Sequence, residues 1–412
     1  MSLKQRNNSI IVIDIGSSKI ACLVAKINAS DEIVINGLGY HSAQGIKSGI
    51  ITDINTAENS ILKAIEMAEE NSGERIKKAY VSISSAQLIS HQIRARHNIV
   101  GHEVGAKDLS KILLNAMENH NSQNLESLHT FVYNYSIDGN SGIRNPLGMY
   151  GTELQCDVNI VSTPTNNLLN FTNCLDKCGI QVLGYIASGY ASGISSLQGD
   201  EMEIGVNVID FGAGSTSFTI FQNSHMVYTD AVTVGGMNIT NDIAISLGIE
   251  TVEAERLKNL YGGVIVTDSD IQETIEVQSN FESELGETII NRALLIEIIR
   301  ARVDEILDLL MQKILHSNIR PASRFLITGG GARLSGLREL IAHVFSSKAR
   351  IGQPSYVQNI DNSIQLELGV ASGMLKHIAE NIDSKNKPFK GEKNRSSITD
   401  KILKWLNQYL QG

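Results

Sequence analysis

Two stretches of this sequence, about half a chain length apart, share one unusual pattern. Residues 10–27 read IIVIDIGSSKIACLVAKI, and residues 206–221 read VNVIDFGAGSTSFTIF. Each has a β-branched apolar run, an Asp-x-Gly turn with small polar residues, and a second apolar run. This is the pattern of two strands joined by a tight turn. A unit that occurs twice at this separation predicts two homologous domains.

The two turns have the composition of a phosphate site. Asp14 and Asp210 stand where the first strand of each unit ends, and a carboxylate there can face a magnesium ion directly or through its water shell. The glycine permits a tight turn, and the small residues leave backbone N–H groups open to a phosphate. One such turn alone is more often an ordinary hairpin. Two copies with matched flanks predict a site that holds a polyphosphate from both sides.

Other phosphate motifs are incomplete in this sequence. GIKSG at 45–49 lacks the spacing of a P-loop. GAGSTS at 212–217 lacks the third glycine of a dinucleotide fingerprint, and the FTIF that follows it reads as strand rather than helix. We therefore disfavour both of these folds.

Three further segments fit the nucleoside part of a ligand. FLITGGGARLSGL at 325–337 places three glycines after a short strand, where a flat ring or a sugar can approach the backbone. TVGG at 233–236 precedes a helix whose first N–H groups can meet phosphate. Glu255 and Lys258 lie on one face of the next predicted helix. They could contact a ribose or base, or form a simple surface ion pair.

Composition and charge narrow the class of protein. The chain has 412 residues, of which 42% are hydrophobic and 19% charged, and these values suit a soluble protein of two or more domains. No apolar run approaches the roughly 18 residues of a transmembrane helix, and the N-terminus lacks the features of a signal peptide, so we expect a cytoplasmic protein. Four cysteines without zinc-like spacing predict reduced thiols. A net charge of −9 argues against nucleic-acid binding.

The C-terminal segment differs from the rest of the chain. Residues 384–412 contain six Lys and one Arg against two carboxylates, although the whole chain is acidic. SSITDKILKWLNQYLQ at 396–411 places its apolar side chains within an arc of roughly 160° on an α-helix, and the stretch before it has no apolar period. Such a helix predicts a partner outside the molecule, either a lipid surface or a groove in another protein.

In this order, the motifs resemble the actin/sugar-kinase/heat-shock-chaperone ATPase superfamily. Its two phosphate motifs correspond to the units around Asp14 and Asp210, and its adenosine motif to LITGGGARLSGL. LGYIASGYASGISSL at 183–197 and ELGVASGML at 367–375 resemble its two connecting helices, whose small residues permit close helix crossing. The resemblance implies an α/β, actin-like (ribonuclease-H-like) two-domain fold with a nucleotide cleft.

Within that superfamily the sequence most resembles the FtsA family of bacterial division proteins. DIGSSKI at 14–20, GIKSGIITDI at 45–54 and the terminal helix carry this resemblance, which implies an additional, FtsA-type subdomain inserted in the first half. The expected organisation is subdomain 1A at 1–83 and 162–200, inserted subdomain 1C at 84–161, subdomain 2A at 201–235 and 320–380, subdomain 2B at 236–319, a flexible linker at 381–395 and an amphipathic membrane-targeting helix at 396–412.

The resemblance also implies ATP and Mg2+ as ligands, with Asp14 and Asp210 beside the metal ion. A lysine at position 19 could equally point to solvent. The residues implied to bind the nucleotide are Gly16, Ser17, Ser18, Lys19, Asp210, Gly212, Gly214, Ser215 and Thr216 around the phosphates, and Gly235, Gly236, Glu255, Lys258, Gly329, Gly330 and Gly331 around the nucleoside.

The implied partners are the C-terminal tail of FtsZ, anionic lipid of the cytoplasmic membrane, further copies of the chain and membrane-spanning division proteins. The helix predicted at 291–310 resembles the FtsA helix that lines the FtsZ-tail site, with Arg302 and Glu305 as candidate contacts. A solvated face of a core helix explains these two residues equally well. The residues implied to bind the membrane are Ile398, Ile402, Leu403, Trp405, Leu406, Tyr409, Leu410, Lys401 and Lys404.

The function implied is that of an ATP-binding, polymer-forming protein that tethers the FtsZ ring to the cytoplasmic face of the membrane at the division septum.

Actin-like hydrolysis needs a residue that orients the attacking water, commonly a Gln or Glu in the first connecting helix. No acid or amide occurs in that stretch before Gln198, so we expect at most weak ATPase activity. A small-molecule kinase and a rod-shape or pilus-assembly homologue are the alternatives, but neither fits the terminal helix.

Overall fold

Strands and helices occur in groups along the chain, with strands first, at 10–51, and helices in the second half, at 236–272. The computed structural model describes residues 9–28, 30, 32–120, 124–277, 288–354, 357–358 and 364–385. The strands are β1 (Ile10–Ile15), β2 (Lys19–Ile27), β3 (Ile33–Ser42), β4 (Ile46–Lys47), β5 (Ile50–Ile51), β6 (Lys78–Ile83), β7 (Ile89–Asn98), β8 (Leu125–Ile137), β9 (Asn140–Ile143), β10 (Glu153–Pro164), β11 (Gln181–Ala187), β12 (Val206–Phe211), β13 (Thr216–Gln222), β14 (His225–Val232), β15 (Thr274–Val277), β16 (Thr288–Asn291), β17 (Arg324–Thr328), β18 (Lys348–Ile351) and β19 (Val357–Gln358).

The helices complete the two domains and the elements between them. They are α1 (Ile54–Ser72), α2 (Ala106–Asn119), α3 (Thr165–Lys177), α4 (Ser188–Ser196), α5 (Glu201–Ile204), α6 (Gly236–Leu247), α7 (Thr251–Tyr261), α8 (Asp268–Gln272), α9 (Arg292–His316), α10 (Leu337–Val344) and α11 (Gly369–Lys385).

Two of the sheets repeat one arrangement of strands. The first-domain sheet has the order β11-β6-β1-β2-β3-β19, and the second-domain sheet has the order β14-β13-β12-β17-β18. In each sheet an antiparallel triplet, β1-β2-β3 or β12-β13-β14, is joined by a parallel strand, β6 or β17. The two Asp-x-Gly units form the first two strands of these triplets. The predicted duplication into two α/β domains is therefore confirmed.

Helices α4 and α11 cross between the two domains at very short range. A Cβ atom on Gly373 would lie 1.8 Å from the backbone oxygen of Ala191, and one on Gly193 would lie 2.5 Å from the ring of Phe221. Because real Cβ atoms need more than 3 Å, only glycine fits at these positions. This is the close crossing that the small residues of the two segments predict.

The C-terminal part of the described chain packs on the first domain, which corrects two expectations. β19 pairs with β3, and Ala371, Met374 and Leu375 of α11 are buried in the first-domain core. The predicted subdomain 2A at 320–380 is therefore too long at its C-terminal end. The predicted linker at 381–395 begins as helix, because α11 continues to Lys385 and no proline occurs between Gly369 and Pro388. The remainder of the linker and the predicted membrane-targeting helix lie outside the described residues.

A third sheet, of order β7-β10-β8-β9, is built by the segment between β6 and α3. Helix α2 packs on it through Leu109, Ile112 and Leu113, which share a separate hydrophobic core with Val158 and Ile160 of β10. We refer to this unit, 85–164, as the insert. In the second domain, α6 to α9 and the β15-β16 hairpin form a further, mainly helical part between β14 and β17.

Candidate functional site

A cleft of about 800 Å³ opens between the two domains, and this volume is typical of small-molecule sites. Its walls are the turns after β1 and β12, the glycine loop after β17 and the facing parts of α6 and α7. Both repeated units thus end at the same cavity. Most of the predicted nucleotide-binding residues line it.

Two carboxylates lie at the base of this cleft. The Ser82 hydroxyl donates to Asp14 Oδ1 at 2.7 Å. The Ser192 hydroxyl, which donates to the Gly189 carbonyl at 3.2 Å, lies beside Asp210. Burial raises the pKa of Asp14 above its usual range and raises the pKa of Asp210 to about 6. The negative charge of Asp14 adds to the rise at Asp210. A cation between the two groups would favour their ionised forms.

The donor set around these carboxylates fits magnesium. The hydroxyl oxygen of Thr328, which lines the same cleft, is buried and has no hydrogen-bond partner among the described residues. The described ranges contain no cluster of three or more His, Cys, Asp or Glu side chains that could hold a metal ion alone. Mg2+ commonly uses one or two carboxylates together with water and substrate phosphates, so Asp14 and Asp210 suffice on the protein side.

The turns of the two repeated units have the same backbone geometry. The Gly16 N–H donates to the Lys19 carbonyl at 2.9 Å, and the Gly212 N–H donates to the Ser215 carbonyl at 3.0 Å. A Cβ atom would lie 3.0 Å from that oxygen at Gly16 and 2.8 Å at Gly212. Each turn therefore needs glycine at this position, as the sequence pattern predicts.

The turns also touch each other across the cleft. A Cβ atom on Gly214 would lie 2.5 Å from the hydroxyl oxygen of Ser17. The Ser48 hydroxyl, in the turn between β4 and β5, donates to the Gly214 carbonyl at 2.7 Å, and the Gln87 amide donates to the Ser48 carbonyl at 3.2 Å. The β4-β5 turn thus bridges the two domains. The sequence showed only its resemblance to a family segment, not this contact.

Gly329 brings the third glycine-rich loop against the second carboxylate. Its φ angle is 83°, and a Cβ atom there would lie 2.3 Å from Asp210 Oδ1. A Cβ atom on Gly331 would lie 2.8 Å from the Cβ of Phe211. The loop therefore packs directly on the end of β12. Gly330 also lines the cleft but has open space around it.

Glu255 and Lys258 connect α6 and α7 at the edge of the cleft. The Lys258 ammonium donates to Glu255 at 2.6 Å, to the Thr240 hydroxyl at 2.8 Å and to the Gly236 carbonyl at 3.2 Å. The Lys258 side chain is only 12% exposed. Both residues line the cleft, so the simple surface ion pair is not what the structure shows.

Lys19 points into the cleft rather than to solvent. Its ammonium donates to the backbone carbonyl of Glu367 and lies 3.9 Å from the Glu367 carboxylate. The Tyr40 hydroxyl and the Arg333 guanidinium, the latter at 3.0 Å, bind the same carboxylate. Sequence reasoning missed Tyr40, Arg333 and Glu367. The only available signals were the position of Glu367 at the start of ELGVASGML and that of Arg333 within the glycine loop.

Two predicted residues do not line the cleft. Thr216 is buried, and its hydroxyl donates to the Val234 carbonyl at 2.9 Å. Gly235 precedes α6, where its N–H donates to the Asn238 side chain at 3.0 Å. A Cβ atom on Gly235 would lie 2.6 Å from the Gly212 carbonyl. Both residues shape the second turn from behind, so their predicted contact with the ligand is corrected to a positioning role.

Comparison with known proteins assigns the chain to a family. Residues 207–370 match the family model described as Cell division protein FtsA, and residues 85–162 match the SHS2 domain inserted in FTSA. The cell division protein FtsA of Agrobacterium fabrum is 32% identical over 369 residues, which cover 86% of this chain and 83% of that protein. This chain belongs to the FtsA family of cell division proteins.

Further relatives and solved structures agree. FtsA of Pseudomonas aeruginosa is 31% identical, with 89% of this chain and 88% of the relative covered, and FtsA of Bacillus subtilis is 29% identical, with 85% and 80% covered. Among solved structures, the PilM-PilN type IV pilus biogenesis complex matches with a TM-score of 0.64 at 15% identity over 89% of this chain and 98% of that one. MreB5 of Spiroplasma citri bound to ADP matches with a TM-score of 0.56 at 13% identity over 92% and 99%. The predicted actin-like fold with an FtsA-type insert is confirmed.

The predicted FtsZ-tail residues of this FtsA family member lie on α9, away from the cleft. The Arg302 guanidinium binds Asp242 of α6 through two hydrogen bonds, of 2.5 and 2.8 Å, and also pairs with Glu305. Arg302 therefore joins α6 to α9, and Glu305 is half exposed beside it. Ile245, one helical turn after Asp242, is 81% exposed.

The predicted membrane-binding residues, 398–410, lie outside the described part of the FtsA-family chain. In the ranges that the structure describes, no helix combines the length and apolar character needed to cross a membrane.

Proposed function

We propose that this FtsA-family protein binds ATP with Mg2+, assembles into a homopolymer and tethers FtsZ to the cytoplasmic face of the cell membrane at the division septum. There it would help to recruit membrane-spanning division proteins. The observation that carries the proposal is the meeting of two Asp-x-Gly turns and a glycine loop at one cleft between homologous domains. Backbone N–H groups of such turns are suited to phosphate, and MreB5, which shares the fold, has been solved with ADP and with AMPPNP.

Asp14 and Asp210 would hold Mg2+, which would neutralise part of the phosphate charge. The turns that begin at Gly16 and Gly212 would surround the phosphates, with Lys19 on the first-domain side. The glycine loop and the Glu255–Lys258 pair would contact the nucleoside. Nucleotide would then hold the two domains together and favour the closed form of the molecule.

Hydrolysis in this cleft should be slow. The described lining contains serine hydroxyls from Ser82, Ser188 and Ser192 but no Gln or His. Its Glu255, Asn259 and Glu367 come from α7 and from the segment just before α11 rather than from α4. The first connecting helix, α4, contributes only hydroxyls and apolar groups, so no side chain of that helix can direct a water molecule as an amide or carboxylate would. Phosphate release at ordinary kinase rates would contradict this part of the proposal.

The FtsZ tail would bind beside α9, near the surface formed by Arg302, Asp242 and Ile245. A carboxylate of the tail could replace Glu305 as the partner of Arg302, while Asp242 keeps the guanidinium in place. The exposed Ile245 offers an apolar contact next to this charge. A charged anchor beside an apolar side chain is a common arrangement for peptide binding.

One co-sedimentation assay tests both ends of the tether. The full chain is mixed with ATP, an FtsZ tail peptide and vesicles that contain anionic lipid. We expect the wild type to carry the peptide into the pellet. Trp405→Glu places a charge in the apolar arc of the terminal helix, so both protein and peptide should stay in solution. Arg302→Ala should still sediment but leave the peptide behind.

The controls separate the two functions. Arg338→Ala removes an exposed arginine that pairs only locally with Glu339 and should behave as wild type. Lipid binding by a basic helix should weaken as salt is added or anionic lipid is removed. Unchanged sedimentation of Trp405→Glu would contradict the membrane proposal, and peptide capture by Arg302→Ala would contradict the proposed tail site.

A further inference from the structure

Glu367 occupies an unusual place in the cleft. It precedes α11, and its carboxylate is reached by side chains from both domains: Tyr40 and Lys19 from β3 and β2, and Arg333 from the glycine loop. The Glu367 side chain is 22% exposed and lines the cleft. Asp14 and Asp210 would be offset by the proposed Mg2+ ion, but a further carboxylate beside the phosphate-binding turns repels a polyphosphate.

Every cation on the described cleft lining is already paired with a carboxylate. The cationic lining residues are Lys19, Lys258 and Arg333. Lys258 is bound to Glu255 at 2.6 Å, and Arg333 is bound to the Glu367 carboxylate at 3.0 Å. Lys19 lies 3.9 Å from that carboxylate, and its ammonium donates to the Glu367 backbone carbonyl. A phosphate that enters the cleft therefore competes with the Glu367 carboxylate for the charges of Lys19 and Arg333.

We propose that Glu367 is a specificity-determining residue of the cleft, whose carboxylate competes with the phosphates of the nucleotide for Lys19 and Arg333. This inference rests on the proposed ATP site and goes beyond it. Glu367 weakens the binding of phosphorylated ligands and leaves the binding of the nucleoside alone unaffected. It thereby lets a bound nucleotide dissociate and exchange, although two turns of the cleft are suited to phosphate.

The position of Tyr40 makes the competition effective. The Tyr40 hydroxyl donates to the same carboxylate oxygen that faces Lys19, and Arg333 binds the other oxygen. Glu367 is thus held from two sides and cannot simply swing into solvent when a ligand arrives. Part of the binding energy of an incoming phosphate is therefore used to separate Lys19 from Glu367.

Titration calorimetry of the full-length protein with adenosine, ADP and ATP, each with Mg2+, tests this inference. Glu367→Gln keeps the shape and the acceptor oxygen but removes the charge. We expect it to tighten ATP and ADP binding about tenfold, as the loss of one repelling charge in a partly buried site predicts, and to leave adenosine binding unchanged. Glu367→Asp keeps the charge and should stay close to wild type. Glu339→Gln, on the exposed surface of α10, controls for net charge.

The outcomes distinguish this inference from the proposed function. ATP binding by Glu367→Gln that is equal to or weaker than that of the wild type would overturn the inference but leave the ATP site standing. A wild type that binds neither ATP nor ADP would overturn both. Glu367→Ser, which is also neutral but smaller, is a second variant in case the Gln variant does not fold. It should tighten ATP binding in the same direction, and weaker binding would count against the competition.

Discussion

Gly329 has no side chain, and this allows the glycine loop to pack directly against Asp210. The residue has a φ angle of 83°, and a Cβ atom would lie 2.3 Å from Asp210 Oδ1. Gly329→Ala should therefore cost about 1–3 kcal/mol in backbone strain, in addition to the displacement of the carboxylate that we propose as a Mg2+ ligand. We expect ATP affinity, measured by titration calorimetry, to fall at least tenfold.

The neighbouring glycine provides a matched control. Gly330 lines the same cleft, but its φ angle is not left-handed, and the nearest atom to an added Cβ is 3.9 Å away, in the Glu367 side chain. Gly330→Ala keeps Asp210 in place and adds no backbone strain, so its ATP affinity should fall less than that of Gly329→Ala. If both variants bind ATP equally well, contact between the glycine loop and Asp210 does not matter for the site.

Sequence reasoning found the residues whose role depends on local geometry. Asp14, Gly16 and Lys19 belong to one turn, whose composition already reveals a strand end and a tight backbone. Glu367 is different, because it lies 348 positions from Lys19 and 327 from Tyr40 along the chain. No spacing rule connects residues so far apart, and only the packing of α11 against the first domain brings them together.

On the scale of secondary-structure elements, a group of rings joins the insert to the two connecting helices. His129 of β8 lies 5.6 Å from the ring of Tyr190 in α4 and 6.0 Å from that of His377 in α11. The His129 Nε2 atom accepts the N–H of Ala187 at 3.0 Å, which requires the neutral ring. Burial lowers the pKa of His129 to about 3 and that of His377 to about 4.

These two histidines should make the stability of the protein depend on pH. Each binds a proton more readily in the unfolded chain, where its pKa is near 6.5. Above pH 6.5 both histidines are neutral in the folded and in the unfolded chain, so they do not change the free energy of unfolding. Between pH 6.5 and 4 the unfolded chain binds more protons. The free energy of unfolding should therefore fall there by about 1.4 kcal/mol per pH unit for each histidine. Glu380, whose pKa is raised by burial, lies on α11 near Tyr190 and titrates in both the wild type and the variants.

The difference between wild type and His129→Gln isolates one histidine. Glutamine can accept the Ala187 N–H but does not titrate, so the slope of unfolding free energy against pH between 6 and 4.5 should decrease by about 1.4 kcal/mol per pH unit. Chemical denaturation at several pH values measures this slope. Parallel curves for the two proteins would show that His129 is not held neutral in the folded state.

The same elements show where sequence reasoning stopped. The small residues of α11 predict a close helix crossing, and the structure places Gly373 against Ala191 of α4 as expected. They do not say on which domain the helix lies, because the crossing contact is shared by both. The side chains of Met374 and Leu375 determine the domain on which α11 packs. The sequence of the helix alone does not show which sheet they contact.

On the scale of the whole molecule, the insert forms hydrogen bonds with the edge of the second-domain sheet. β14 is an edge strand, and its backbone polar groups are met by side chains of the insert instead of another strand. Asn159 donates to the Met226 carbonyl at 3.2 Å, and the Ser90 hydroxyl accepts the Thr229 N–H at 3.3 Å. Since the insert continues from the first domain, it links the two domains at a second place besides the cleft.

Asn159 is the residue on which this link depends most. It is fully buried, its Oδ1 accepts the Ser90 hydroxyl at 2.7 Å, and its amide donates to β14. Asn159→Leu has nearly the same volume but breaks both bonds, so the free energy of unfolding should fall by about 1–3 kcal/mol. Asn140→Leu, on the exposed β9, should change it little.

Hydrogen–deuterium exchange locates the effect of the same change. With the link broken, the amides of β14 should exchange faster, while those of β17 in the centre of the same sheet should keep their protection, because local opening begins at an unsupported edge. We propose that nucleotide joins the two domains from the cleft side, so ATP should restore part of the lost protection in β14. The amides of β14 could instead exchange equally fast in the wild type and in Asn159→Leu, with or without ATP. This result would mean that the insert contacts the second domain but does not stabilise β14.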